Sequence, residues 1–132
     1  MEDNRISLER ELRSKSASII WSLISTPAGL GKWMADEVKF EGNTFTFTWG
    51  NVWSRHETRT ATLLEMKNFE YIRLRWSEDE YRDTYFELRM CKSDITGDYI
   101  LEITDYATDG DTDTLVDIWD ANMEKLHRST GL

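Results

Sequence analysis

The chain has 132 residues and a formal net charge of -9, and its hydrophobic content of 39% includes six Trp, five Phe and five Tyr. This length suits one domain, expected over residues 1–132, and the negative charge argues against nucleic acid or an anionic membrane as the main partner. We expect a cytoplasmic protein without membrane insertion: no apolar run is long enough to span a bilayer, no signal-peptide pattern is present, and the single cysteine, Cys91, excludes an internal disulfide.

The first predicted elements are a strand and a helix. Residues Arg5 to Leu12 alternate between apolar and polar side chains, which is typical of a half-buried strand. Ser16 or Ser18 is suited to cap the helix that follows. The apolar positions are Ile6, Leu8 and Leu12 on the strand and Ile19, Ile20, Leu23 and Ile24 on the helix.

A second, very short helix is predicted after Thr26. Thr26 is a good N-cap, and Pro27 fits a first helical turn because its missing N–H has no partner there. Gly29 and Gly31 are expected to keep this helix short. Because so short a helix is not stable alone, we expect Trp33 to be buried against the sheet and to hold it in place.

The sequence period then changes from helical to strictly alternating. Glu41-Gly42-Asn43 predicts a turn between a strand around Val38-Lys39-Phe40 and a strand from Phe45 to Trp49. The further predicted strands are Val52 to Met66, with Ala61, Leu63 and Leu64 near its end, Tyr71 to Trp76, Thr84 to Cys91, and Tyr99 to Tyr106.

One long amphipathic helix is predicted to close the chain, from near Asp111 to near Arg128. Aspartates crowd its first turn and basic residues its last, as the helix dipole favours. Gly131 is a plausible stop. The residues that recur at helical spacing are Leu115, Ile118, Trp119, Asn122, Met123 and Leu126.

This order of elements predicts an α+β fold. A curved antiparallel sheet of about six to seven strands, with two short helices after the first strand, would wrap around the long C-terminal helix and bury both apolar stripes. Such a helix-grip arrangement commonly leaves a cavity, because a straight helix does not match a curved sheet along its whole length.

A sequence pattern supports this fold. The stretch from Ile20 to Pro27 (IWSLISTP), followed by Leu30 and Lys32-Trp33-Met34, has the form W-x-L-x-S-T-P-x-x-L-x-x-W. This pattern and the order of elements resemble the START-like superfamily, the birch-pollen-allergen fold. Within it, they resemble the branch related to the C-terminal domain of the heat-shock chaperone ATPase activator, especially its small single-domain bacterial members.

The resemblance covers nearly the whole chain. It implies a cavity for hydrophobic small molecules and brings no catalytic motif, although some members of the superfamily are cyclases or other enzymes. The activators also carry a separate N-terminal domain, which we do not expect in a chain of this length.

Large apolar side chains are predicted to line the concave face of the sheet and the facing side of the helix. They either form the wall of a ligand cavity or fill the space themselves as a plain core. The candidate cavity-lining residues are Trp33, Phe45, Phe47, Trp49, Ile72, Leu74, Trp76, Phe86, Leu88, Met90, Trp119, Asn122 and Met123.

Arg10 is a further candidate, because it lies at the inward phase of the first strand between Leu8 and Leu12. A guanidinium buried there requires a partner, and it would be able to hold a ligand carboxylate. The alternative is that Arg10 pairs with an acid of the C-terminal helix or extends to solvent. Asn122 is the second polar residue in an otherwise apolar phase.

The other reactive residues fit surface or structural roles. His56 and Glu57 lie on a polar strand, and His127 lies at a helix end, without a nucleophile or metal-ligand spacing beside them. Cys91 is a strand thiol. Asp109 to Asp113 imitates a calcium loop but lacks its required glycine and bidentate glutamate, so helix capping explains it better. No catalytic residue, metal or cofactor is predicted.

Two functions from different classes therefore remain. The first is a non-catalytic module that binds a hydrophobic or amphipathic small molecule. The second is a protein-interaction module, whose partner would meet the acidic C-terminal region: residues 94–124 hold ten acidic side chains and no Lys or Arg. A cyclase-like or hydrolase-like enzyme is a weaker third hypothesis. Fold resemblance alone does not choose among them.

Overall fold

The computed structural model describes residues 4–50 and 54–132, and the strands within these ranges form one antiparallel sheet. Their bounds are β1 Arg5–Glu11, β2 Glu37–Glu41, β3 Thr44–Gly50, β4 His56–Lys67, β5 Tyr71–Trp76, β6 Phe86–Lys92 and β7 Tyr99–Tyr106. The spatial order is β1-β7-β6-β5-β4-β3-β2, so consecutive strands from β2 to β7 are neighbours and β1 closes the far edge beside β7.

The helices occupy the two long connections of the chain. Helices α1 (Ala17–Ser25) and α2 (Pro27–Leu30) carry the chain from β1 at one edge of the sheet to β2 at the other, and α1 packs against β5 and β6. Helix α3 (Thr112–Thr130) follows β7 and packs against β1. The α+β fold with a sheet that grips a C-terminal helix is therefore confirmed. Within the described ranges, none of the helices has the length and apolar character that a membrane span requires.

The core lies between the concave face of the sheet and α3. Inward positions alternate along each strand, because successive strand side chains point to opposite faces. A fully buried side chain of this kind stabilises the fold by about 1.5–3 kcal/mol. The residues at most 1% exposed include Phe45, Phe47, Ile72, Leu74, Phe86, Leu88, Leu101 and Ile103 on the strands and Leu126 on α3.

Trp33 is fully buried, as predicted from the shortness of α2. Its indole Nε1–H donates to the carbonyl oxygen of Leu23 at 2.9 Å, and its ring lies 6.1 Å from the ring of Trp119. Trp33 thus joins the segment after α2 both to α1 and to α3.

The predicted caps are present. The Ser16 side chain accepts from the backbone N–H of Ile19 and caps α1, and the Thr26 hydroxyl accepts from the N–H of Gly29 at 2.9 Å. Asp111 accepts from the N–H of Thr114 at 3.0 Å, and hydrogen bonds from Thr114 lower the pKa of the Asp111 carboxyl. Gly131, with φ of 78°, ends α3 in the left-handed conformation that suits glycine.

The predicted apolar stripe of α3 is not buried throughout, and two other apolar residues named from the sequence are also exposed. Ile19 and Ile118 are 53% and 52% exposed, because each lies at the margin of its helical apolar stripe rather than at its centre. Leu64 is 39% exposed, because Ala61 and Leu63 take the inward positions of β4 and alternation turns Leu64 to the other face. A β-bulge lies between Leu63 and Glu65. The beginning of the predicted strand at Val52 lies outside the described residues, and β4 starts at His56.

Gly29 has a different role from the one predicted. It does not end α2 but lies inside it, where a Cβ atom would meet the carbonyl oxygen of Ser22 at 1.9 Å. Gly31 follows as the C-cap, in right-handed helical conformation, and a Cβ atom there would meet its nearest neighbour, the oxygen of Pro27, at 3.2 Å. The absence of a side chain at Gly29 therefore allows α1 and α2 to pack closely.

We expect Gly29→Ala to destabilise the protein by about 3 kcal/mol or more, because the contact atoms belong to backbone that must move as a whole. Gly31→Ala is the matched control, and its effect should stay within about 1 kcal/mol. Urea denaturation of both variants measures the difference. Equal midpoints for the two variants would contradict the close-packing role of Gly29.

Candidate functional site

An open cavity of about 410 Å³ lies at one end of the interface between the sheet and α3. Its walls come from the segment after α2, from β3, β4, β5 and β7, and from α3. The lining residues are Met34, Trp49, Glu57, Arg59, Trp76, Asp105, Leu115, Ile118, Trp119 and Asn122.

Strand register brings the sheet residues of this cavity together. Trp49 on β3 is opposite Glu57 on β4, and Arg59 is opposite the buried Phe47. Ala61, two residues further along β4, is opposite Trp76. Glu57 and Arg59 therefore share the concave face with these aromatic rings, because alternate residues of a strand lie on one face.

Trp76 is at the centre of a cluster of aromatic rings. Its ring centroid lies 5.3 Å from that of Phe47, 5.0 Å from Phe86 and 6.5 Å from Trp49. Trp119 extends the cluster to α3, with its ring 5.9 Å from Phe86. Trp49 is fixed by donating its indole N–H to the carbonyl oxygen of Met34 at 2.9 Å. The apolar walls are thus held in place by ring contacts and hydrogen bonds.

Arg59 lies over one of these rings. Its guanidinium carbon is 3.9 Å from the centroid of the Trp76 ring, a cation–π geometry. Its Nε donates to the carboxylate of Glu78 at 2.7 Å, and Nη2 donates to the same oxygen. The charge of Arg59 is therefore already matched by Glu78.

Asp105 is the buried titratable group of the cavity, at 7% exposure. Its Oδ2 accepts the indole N–H of Trp119 at 2.8 Å, and its Oδ1 accepts the backbone N–H of Tyr106 at 2.7 Å. Burial raises the pKa of Asp105 to about 6, against the opposing effect of both hydrogen bonds and of the Arg59 charge. Among the described residues, no cation lies within salt-bridge distance of this carboxylate.

Apart from Arg10, the predicted site residues divide into two groups. Trp49, Trp76, Trp119 and Asn122 line the cavity. The others are buried in the closed core beside it: Trp33, Phe45, Phe47, Ile72, Leu74, Phe86, Leu88, Met90 and Met123. Large side chains thus fill most of the space between the sheet and α3, and ligand contact by any of these residues stays a prediction.

Arg10 lies away from the cavity. It is half-buried on β1, opposite Leu101 on β7, whereas Asp105 is opposite Ile6 at the other end of that strand pair. No salt bridge joins Arg10 to any other residue of the described ranges.

Sequence reasoning missed Asp105 and Arg59 as cavity residues, and it treated Glu57 as a surface residue. A signal for Asp105 was present: it shares the inward phase of its strand with Leu101 and Ile103. For Arg59 the signal was its position two residues before the buried Ala61, which places both residues on the same face of β4. A charged residue at an inward position of a strand therefore helps to locate the cavity as much as the apolar residues around it do.

The remaining reactive groups lie elsewhere. His56 is exposed, and burial raises the pKa of the half-buried Cys91 thiol. No group of three or more His, Cys, Asp or Glu side chains in residues 4–50 and 54–132 is arranged to hold a metal ion. A second recess, of about 580 Å³, lies between α1 and the end of α3 and includes Ser18, Lys32 and Ser129. It is larger, but its described lining lacks a buried titratable group, so we regard the cavity around Asp105 as the candidate site.

Comparison with known proteins assigns this chain to a family. A sequence profile of the family described as the START-like superfamily domain matches residues 1–132. The chain belongs to the START-like superfamily. No curated protein sequence matches it.

Solved structures agree with this assignment. A Bacteroides fragilis protein, determined by solution NMR, is 41% identical, with 97% of this chain and 91% of that chain covered and a TM-score of 0.64. An AHSA1-like protein from Aeromonas hydrophila is 12% identical with a TM-score of 0.78, covering 96% of this chain and 92% of its own. The Aha1 dimer from Colwellia psychrerythraea is also 12% identical, with a TM-score of 0.71 and coverage of 96% and 97%. The resemblance to START-like proteins is confirmed. The resemblance to Aha1-like proteins is also confirmed, and at 12% identity it concerns the fold alone.

The burial of Asp105 predicts a pH-dependent stability. Its pKa is about 6 in the folded chain, against 3.8 for an unperturbed aspartate, so the folded state holds the proton more tightly. The contribution of this group to the free energy of unfolding is therefore fully present below pH 4, and about 3 kcal/mol of it is lost as pH rises through 6.

Asp105→Asn should remove this dependence. The difference in free energy of unfolding between parent and Asp105→Asn, measured by urea denaturation from pH 4 to pH 7.5, should shift in favour of the variant as pH rises. Asp120→Asn, on the exposed side of α3, is the control and should show little such shift. A difference that stays constant over this range would mean that folding does not raise the pKa of Asp105.

Proposed function

We propose that this START-like domain is a non-catalytic binding module for a hydrophobic or amphipathic small molecule held between the sheet and α3. The observation that carries the proposal is the open cavity of about 410 Å³ lined by the rings of Trp49, Trp76 and Trp119. Cavities of this size, largely apolar and with a few polar groups, are typical of small-molecule sites.

The fixed positions of the lining residues support this proposal. Trp49 and Trp119 each donate an indole hydrogen bond, to Met34 and to Asp105, and the ring of Trp76 is packed on several sides. A site whose side chains are held before binding loses little conformational entropy when a ligand enters. The ligand would then gain most of its affinity from the rings, and Asn122, Glu57 and Asp105 would orient it.

The chemistry of the lining favours binding over catalysis. The described residues that line the cavity include no Ser, Thr, Cys, His, Lys or Tyr, so a nucleophile activated by a base is missing from that set. The carboxyl groups there are those of Glu57 and Asp105, and the Asp105 oxygens already accept two hydrogen bonds.

A protein-interaction module is the second candidate, and one surface supports it. The outward side of α3 presents exposed carboxylates. These acids are Asp113, Asp117, Asp120 and Glu124. A basic protein surface would complement them, and electrostatic attraction of this kind speeds association.

We place either function in the cytoplasm, because the free Cys91 fits a reducing compartment.

A neutral fluorescent probe, N-phenyl-1-naphthylamine, tests the small-molecule proposal. We expect it to bind the parent protein with increased emission and to stabilise it thermally. Trp76→Leu should weaken binding about tenfold, because the ring supplies stacking and contact area. Phe69→Leu is the matched control: Phe69 is a half-exposed aromatic residue just before β5, whereas Trp76 is at the end of that strand.

The outcomes separate the two candidates. Binding that Trp76→Leu weakens and Phe69→Leu leaves unchanged supports the cavity. Absence of binding by the probe, together with no thermal shift across a panel of lipids and apolar molecules, would overturn the proposal and leave the acidic face of α3 as the surface to test. If the probe does bind, native mass spectrometry of protein purified from its own host would identify any molecule retained in the cavity.

A further inference from the structure

The described lining of the cavity holds two carboxyl groups, one arginine that is paired with Glu78, one asparagine and three tryptophan rings. We propose that the ligand carries a cationic ammonium head group, held by Asp105 and Glu57 beside the indole rings. This inference rests on the proposed small-molecule function and names the class of molecule bound.

The first argument is the incomplete pairing of Asp105. A buried carboxylate is usually paired with a cation, because an isolated charge loses its hydration. Asp105 accepts two hydrogen bonds from neutral N–H groups, and within residues 4–50 and 54–132 it has no salt-bridge partner. A cationic group entering the cavity would supply a partner at salt-bridge distance.

The second argument is that the one cationic side chain of the described lining is already engaged. Arg59 donates twice to Glu78 and lies over the ring of Trp76. It is thus poorly available to an anionic ligand, since binding one would require breaking the pair with Glu78. It also shows that a cation is accommodated on an indole at this site.

The third argument is the charge around the cavity. Glu57 is exposed at its wall, and an adjoining recess that shares Arg59 and Asp105 is also lined by Asp79, Asp109 and Asp111. A carboxylate ligand would approach a surface of its own charge, and the predicted carboxylate partner, Arg10, is not part of the lining. The same field attracts a cation.

The aromatic walls suit the same head group. Ammonium groups are attracted to indole faces by the ring quadrupole, and Trp is the strongest of the aromatic side chains in this respect. Trp49, Trp76 and Trp119 line the same cavity as Asp105. Rings and carboxylates together therefore favour a cation with an apolar body over either a neutral apolar molecule or an anion.

Four compounds with the same octyl chain test the inference: octyltrimethylammonium, octylamine, octanol and octanoate, used below their micelle concentrations. Titrations followed by NMR of the tryptophan indole N–H groups measure each dissociation constant. The signal of Trp119 is the main reporter, because that N–H is bonded to Asp105. We expect both cations to bind about tenfold more tightly than octanol, and octanoate to bind most weakly.

Variants assign the preference to residues. Asp105→Asn should reduce the affinity for octyltrimethylammonium about tenfold and leave that for octanol within about twofold. Glu57→Gln, at an exposed position, should reduce the cation affinity in the same direction by a smaller factor. Asp120→Asn removes the same formal charge from the exposed side of α3 and should change neither affinity.

The pH dependence is a further test, because octyltrimethylammonium keeps its charge at every pH. Its affinity should rise as pH increases through about 6, the pKa of Asp105, while that of octanol should not. The charged residues that line this cavity or the adjoining recess together with Asp105 are Arg59 and Glu57 on β4, Asp79 after β5, and Asp109 and Asp111 before α3; the charges of Arg59 and Asp79 act on its pKa. The dependence should be absent in Asp105→Asn.

The outcomes distinguish this inference from the function beneath it. Equal affinities for cation, alcohol and carboxylate would overturn the ammonium preference while leaving small-molecule binding in place. A cation preference unchanged in Asp105→Asn and Glu57→Gln would overturn the assignment to these carboxylates. Absence of binding by all four compounds would overturn the proposed function as well.

Discussion

The fit between a straight helix and a curved sheet is the constraint on which this structure depends. Along most of α3, aromatic and branched side chains close the gap, and residues such as Phe47 and Leu88 have no exposed surface. Near the first half of α3 the filling is incomplete, and the cavity beside Trp119 results. The site is therefore a direct consequence of how the core is packed, because close packing cannot be kept where the two surfaces diverge.

The hydrogen bond from Trp119 to Asp105 links this packing to electrostatics. It joins α3 to the last strand, and it places a carboxylate where water is largely excluded. The cost of that burial appears in the raised pKa of Asp105. A cationic ligand would stabilise this buried carboxylate. The hydrogen bond from Trp119 to Asp105 therefore connects fold stability with the chemistry proposed for the site.

Membership of the START-like superfamily explains the architecture but leaves the function to the individual site. Structures as different in sequence as the AHSA1-like protein of Aeromonas hydrophila share the fold at 12% identity. A fold of this kind supports both ligand-binding and interaction roles, so the lining residues and their charges must decide. Here the lining combines three tryptophans with two carboxyl groups and one arginine already paired with Glu78.

The sequence by itself determined the elements of this protein and their order. Tyr71–Trp76 and Tyr99–Tyr106 have the bounds predicted from alternation, and Thr26 begins α2 as predicted, because these signals are local. Tertiary structure alone decided which candidates meet at a cavity and which close the core. Asp105, Arg59 and Trp76 lie on three strands, and only strand order, register and the position of α3 bring them together. These features depend on packing between residues far apart in the sequence, which the local alternation of apolar and polar residues does not specify.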